Sequence, residues 1–322
     1  MRKFLFRFFV FTAIGLGISV ITGGCIDLLL AGTVRSKERV QDVFRCETLV
    51  VGASHAQTAV LPDSFPALVN ICSSSEVLYY TYNILSTLQE KYGIIPENVI
   101  LDAPVASLSS KMDILMREDR MYAKYFSAIP GDELKVLREW NWSFTGYWLT
   151  DRLHILTFDK LRQFSDIFIA GKSEPASILP YCGAFYSSDK SNLDLKIIEK
   201  DIRSHYGEHP VKSDIQCQYL DKIVRLCRKN KIHLFLLNAP LHKEYFDRIP
   251  KEYLDSYYAV IREYAPGEMV HFLDYAHYAL PDSCFGDGNH LNLNGAKMLA
   301  HQIKKDMELC RRENGGRAGS GI

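Results

Sequence analysis

The chain has 322 residues, with 38 basic and 38 acidic side chains and a formal net charge of zero. That balance excludes an electrostatic nucleic-acid binder, and a hydrophobic fraction of 47% with 17 Phe and 18 Tyr excludes a disordered chain. The length suits a single large α/β domain once a targeting segment is set aside.

Arg2, Lys3 and Arg7 precede a stretch from Phe8 to Ile26 that carries no charge before Asp27. Such a run approaches the roughly 20 residues needed to span a bilayer core, and Leu28 to Leu30 lengthen it. Residues 1–30 therefore read as a signal anchor, with the basic residues inside and the body facing the periplasm or cell exterior. The same residues admit a cleaved signal peptide, and Thr22-Gly23-Gly24-Cys25 admits a lipoprotein held through Cys25. In each case the chain leaves the cytoplasm. Residues 31–46, charged and without apolar periodicity, read as a linker.

Thr48-Leu49-Val50-Val51 is a short, mostly apolar run closed by Gly52, the pattern of a buried parallel strand. It delivers Ser54 onto a turn at the carboxyl edge of the sheet, with a helix expected from about His55. Phe65 to Cys72 predicts a second strand, and Ser73-Ser74-Ser75-Glu76 a turn capping a helix through Leu85. Asn98 to Pro104 predicts a third strand. Alternation of this kind argues for a parallel sheet covered on both faces.

Residues 107–206 interrupt the rhythm and read as an insertion. Trp140, Trp142 and Trp148 crowd there, either as packing or as substrate contacts lining a carbohydrate cleft. The rhythm resumes with a helix over Ser213 to Lys229, a fourth strand within Ile232 to Pro240, a helix from Lys251 to Tyr264 and a fifth strand from Met269 to Asp274. A last helix from Leu293 to about Cys310 closes a domain over 47–310, and residues 311–322 read as a disordered tail. Eight cysteines without C-x-x-C spacing give no reason to expect a metal or cofactor, and no disulfide pairing is legible.

The chemistry is expected at the two ends of the domain. Asp287-Gly288-Asn289-His290 places an acid and a histidine three residues apart on the loop before the last helix. Taken singly, Ser54 reads as a cap, Asp287 as a turn residue and His290 as an ordinary loop histidine. Taken together, they supply a nucleophile, a base to remove its proton and an acid to hold the base's tautomer. His55 reads as a surface or helix-start residue before it reads as a substrate contact. Asn238, at the end of the fourth strand, is a further polar candidate near the same sheet edge, where it could contact substrate or supply an oxyanion donor.

In this order the blocks resemble the SGNH, or GDSL-like, hydrolase superfamily. Val51-Gly52-Ala53-Ser54 stands where that family has its Gly-Asp-Ser block, and Asp287 and His290 match its final Asp-x-x-His. Asn70 followed five residues later by Ser75 is similar to the family's strand-end Asn and oxyanion-hole Gly. Gly-x-Ser-His with Asp-x-Asn-His is closer to the membrane-anchored branch that accompanies cell-envelope acyl transfer, such as the D-alanyl transfer protein of teichoic acid synthesis and the alginate O-acetylation proteins.

The resemblance implies a flavodoxin-like three-layer sandwich around a mainly parallel five-stranded sheet, with Ser54, Asp287 and His290 catalytic. Ser54, Ser75 and Asn70 would then form the oxyanion hole, Asn70 either donating directly or bracing the loop. It further implies an extracytoplasmic serine esterase or O-acyltransferase, acetyl being the favoured group. Its substrate would be an acylated carbohydrate of the cell envelope or an exopolysaccharide, and its candidate partner a membrane-bound O-acyltransferase. The alternative is a non-catalytic module of the same shape that binds polysaccharide or such a partner. The family's third-strand Gly-x-Asn-Asp block has no counterpart in Leu101-Asp102-Ala103-Pro104, which favours that alternative.

Overall fold

The computed structural model describes residues 2–35, 45–62, 67–118, 132–138, 164–169, 191–265 and 269–317, with isolated positions between these segments. Trp140, Trp142 and Trp148, Cys182 and the last five residues lie outside that set.

Five strands form one all-parallel sheet: β1 (Thr48–Val51), β2 (Leu68–Asn70), β3 (Asn98–Asp102), β4 (His233–Asn238) and β5 (Val270–Asp274). Their order is β2-β1-β3-β4-β5, so the chain reverses its direction of travel at the boundary between β1 and β3. In a doubly wound sheet that boundary opens a crevice at the carboxyl ends of the two strands.

Alternate strand residues feed two cores. Leu49, Val51, Val99, Leu101, Leu234 and Leu236 point to one face, against helices Leu78–Tyr92, Asp214–Lys229 and Lys251–Tyr264. Val50, Ile100, Phe235, Leu237 and Leu273 point to the other, against helix Ser54–Ala59 and the last helix. Burial on both faces is why the strands read as continuous apolar runs rather than alternating ones.

The flanking helices follow local rules. Ser213 accepts the N–H of Gln216 as a cap at 3.0 Å, Asp214 sits in the first turn and Arg228 and Lys229 in the last, complementing the helix dipole. Tyr219, Leu220, Ile223, Val224 and Cys227 make its buried stripe. Each large side chain so buried contributes about 1.5–3 kcal/mol. Helix Leu78–Tyr92 begins later than the serine turn predicts and stops at Gly93, which takes the left-handed conformation with φ 66°. The last helix runs on from Leu293 to Arg317, past the expected stop near Cys310.

Within residues 107–206 the described residues add helices but no strand to the sheet, and helix Leu195–Tyr206 returns the chain to the carboxyl edge. The N-terminal helix spans Arg2–Arg35, and its Arg2–Leu29 portion, whose most apolar 18 residues have a mean hydropathy of 2.1, is long and apolar enough to cross a membrane. The seven described cysteines are free thiols.

Candidate active site at the β1–β3 crevice

Gly52 sets the geometry. Its φ is +116°, a conformation that disfavours side chains, and a Cβ there would lie 2.6 Å from Cβ of Asp102 on β3. Only a glycine lets β1 turn this tightly against the end of β3. Ala53 then occupies the N-cap position of helix Ser54–Ala59 without a side-chain bond, and Ser54 is the first residue of that helix.

The opposing loop is closed by an antiparallel bridge between Phe285 and Leu291 and by the bond from Gly286 N–H to the His290 carbonyl, 2.8 Å. Inside it, Oδ1 of Asp287 accepts the N–H groups of Asn289 at 3.0 Å and His290 at 2.9 Å. This turn folds the ring of His290 back over the carboxylate, so that Nδ1 lies 2.9 and 3.0 Å from its two oxygens. Nε2 of His290 stands 2.7 Å from Oγ of Ser54, 236 residues away in sequence. The consistent tautomer has Nδ1–H donating to Asp287 and Nε2 accepting the serine hydroxyl.

Burial pushes the Asp287 carboxyl up, but the bond and charge of His290 and the N–H groups of Asn289 and His290 together hold it below its ordinary value. The acid therefore stays ionised beside the imidazole.

A model of an uncharacterised family matches residues 188–309, well under half of the chain. The matched part carries Asp287 and His290 but does not reach back to Ser54. No curated protein matches the chain.

The remaining candidates divide. Ser75 lines the same crevice and has φ +64°, the left-handed conformation for which glycine is favoured. Ser54 and Ser75 thus both border the crevice. Of the two roles open to Asn70 the bonds give bracing, which corrects its place as a direct oxyanion donor: Nδ2 donates to the carbonyls of Ala56 and Val60, and Oδ1 accepts the N–H of Cys72. Its amide braces the C-terminal end of helix Ser54–Ala59. Asn238 ends β4 as expected, but its Nδ2 donates to Asp274 at 2.9 Å and it is not among the residues lining the crevice, a second correction.

His55 also departs from the surface position expected of it. It is only 6% exposed and lies flat on His290, ring centroids 4.9 Å apart and planes inclined by 25°. Its Nδ1 is 3.8 Å from Oδ2 of Asp102, and its Nε2 is 3.4 Å from Nδ2 of Asn289. Adjacent side chains diverge in a strand, but Ser54 and His55 open a helix, where a step of roughly 100° still permits both to border one crevice.

Two contributors have no motif to announce them. Asp102 is the buried last residue of β3. His205 reaches the crevice from helix Leu195–Tyr206, with Nδ1 2.6 Å from the Tyr245 hydroxyl. Burial and the nearby imidazoles of His55 and His290 depress its pKa to about 3, so its ring is neutral near pH 7. The only legible signal for either was a polar residue closing an apolar strand and a histidine on an otherwise amphipathic helix.

The crevice encloses a cavity of about 80 Å³ beside Ser54, with Leu78, Pro104, Met112 and Leu115 among its apolar walls. Among the described residues no group of three or more His, Cys, Asp or Glu side chains has the arrangement of a metal site.

Proposed function

We propose that the protein is a membrane-anchored, extracytoplasmic serine acyl-transfer enzyme of SGNH type, an esterase or O-acyltransferase acting on an acylated sugar of the cell envelope or an exopolysaccharide. The observation that carries this reading is the continuous Ser54–His290–Asp287 hydrogen-bonded chain at the carboxyl edge of a parallel sheet.

Its chemistry follows from the residues. Oγ of Ser54 attacks the acyl carbonyl while its proton passes to Nε2 of His290, and the developing imidazolium is stabilised by the Asp287 carboxylate. The carbonyl electron pair becomes an oxyanion within reach of backbone N–H groups at Ser54 and Ser75, a type of contact worth about 3–4 kcal/mol per donor. Collapse expels the sugar alkoxide, which takes the proton from His290 and leaves an acyl-serine. Water or a second sugar hydroxyl then repeats the sequence in reverse. The small apolar cavity beside the hydroxyl suits a short acyl group such as acetyl.

A specific observation favours the second reading, a non-catalytic module of this shape. The amide of Asn70 is committed to helix Ser54–Ala59 and its C-terminal end, and Asp102, at the end of β3, and Pro104, just beyond it, stand where the family's asparagine block is absent.

The test is fluorophosphonate labelling of the full-length protein in detergent. The enzyme reading expects one adduct on Ser54 in the wild type and none in Ser54→Ala. A folded wild type that takes up no probe rules the enzyme reading out in favour of the binding module.

A further inference from the structure

The N-terminal helix is not uniformly bare. From Phe4 to Ile18 its side chains are exposed, but over its next turns Gly23 and Ile26 are buried and Ser19, Val20, Thr22 and Asp27 are half-buried. Those positions recur at helical spacing and form one stripe, while Ile21, Cys25 and Leu28 on the other side stay exposed.

Part of what covers the stripe comes from the insertion. The N–H of Leu156 donates to the carbonyl of Ser19 at 3.2 Å and to its Oγ at 3.0 Å. Nζ of Lys160 meets Oδ2 of Asp27 at 2.7 Å. The same part of the insertion exposes Leu153, Leu161, Phe168 and Ile169, the last at 76%.

These contacts fix a depth. The uncharged run ends at Ile26, and Ser19 lies seven residues inside it, about 10 Å along the axis at roughly 1.5 Å per residue. If the helix spans a bilayer, whatever is bonded to Ser19 lies below the headgroups too. Backbone polar groups at such depth need partners within the protein, which Ser19 supplies to Leu156. A charge there is tolerated when paired, as Lys160 is with Asp27.

We propose that the part of the insertion carrying Leu156, Lys160, Leu161, Phe168 and Ile169 enters the bilayer leaflet nearest the globular domain, forming with the N-terminal helix a two-part membrane anchor. The partner of its exposed apolar side chains is lipid hydrocarbon. The N-terminal helix is then retained in the mature chain, because processing before Cys25 would remove Ser19, the acceptor of both Leu156 bonds. The proposal rests on the membrane-anchor reading of the N-terminal helix and is independent of the chemistry at Ser54.

The test places the photocrosslinker p-benzoylphenylalanine, one site at a time, at Phe168, Ile169, Phe11, Ile95 and Val211 of the full-length protein in phosphatidylethanolamine–phosphatidylglycerol vesicles. All five positions are exposed, so folding is preserved. The expected result is a phospholipid-sized mass increase after irradiation at Phe168 and Ile169, as at Phe11, and none at Ile95 or Val211. Adducts at Phe11 without any at Phe168 or Ile169 would overturn the embedded insertion while leaving the single-helix anchor standing. An intact mass showing that the mature chain has lost the residues before Cys25 would overturn both.

Discussion

The imidazole of His55 lies against that of His290 at a centroid separation of 4.9 Å, so the residue after the candidate nucleophile packs on the candidate base. The contact is made possible by Gly52, which turns β1 into a helix whose first two residues border the same crevice. In the proposed mechanism this packing makes His55 a positioning residue, its ring limiting the rotation of His290 out of line with the Ser54 hydroxyl.

Replacing His55 tests that role. In His55→Ala the ring of His290 loses its flat support, and kcat is expected to fall by about 10- to 100-fold with KM little changed, the cost of misaligning a reacting group. His55→Phe keeps the stacked surface and should recover most of the rate. Equal losses in both variants would point instead to a direct polar role for the imidazole.

Asp287→Asn keeps an oxygen for the N–H groups of Asn289 and His290 but removes the charge and favours the wrong imidazole tautomer. A loss on the order of 10⁴-fold in the rate of acyl-serine formation is expected, with some lowering of the melting temperature at neutral pH, because the ionised carboxyl stabilises the fold. Stopped-flow labelling and thermal denaturation of the same preparation measure the two effects separately.

His205 makes stability depend on pH with a definite sign. Its folded pKa of about 3 lies below the ordinary 6.5, so between those values the unfolded chain binds a proton that the folded chain does not. Its contribution is complete above pH 6.5 and declines as pH falls toward 3. Depression of the Asp287 carboxyl acts in the same direction at the acid end of this window. In His205→Asn the loss of stability between about pH 6.5 and 4 should be shallower than in wild type, by about 1–3 kcal/mol over that interval. Urea denaturation at several pH values reads the slope, which is separate from any constant offset caused by losing the Tyr245 bond.

Two backbone substitutions should act with opposite signs. Gly52→Ala forces a Cβ to within 2.6 Å of Asp102 at φ +116° and should destabilise by about 3 kcal/mol. Ser75→Gly relieves a left-handed conformation and, after the greater freedom of glycine in the unfolded chain, should stabilise by about 0.5 kcal/mol. Because Ser75→Gly keeps the N–H, probe labelling should persist in it. Chemical denaturation of both variants checks the signs.

Much of the frame is already written in the residue order. Buried parallel strands announce themselves as short apolar runs closed by small residues, and helices Asp214–Lys229 and Lys251–Tyr264 by spacing and caps, because these depend on neighbours within a few residues. Ser54, Asp287 and His290 were legible only jointly: singly each reads as a cap, turn or loop residue, and their order at the two ends of the alternating pattern set them apart. Tertiary structure alone decided which groups share the crevice. It drew His55 and Asp102 inward, brought His205 from a distant helix and directed Asn70 and Asn238 to other partners, since long-range packing and competition for buried hydrogen bonds leave no periodic trace in a sequence.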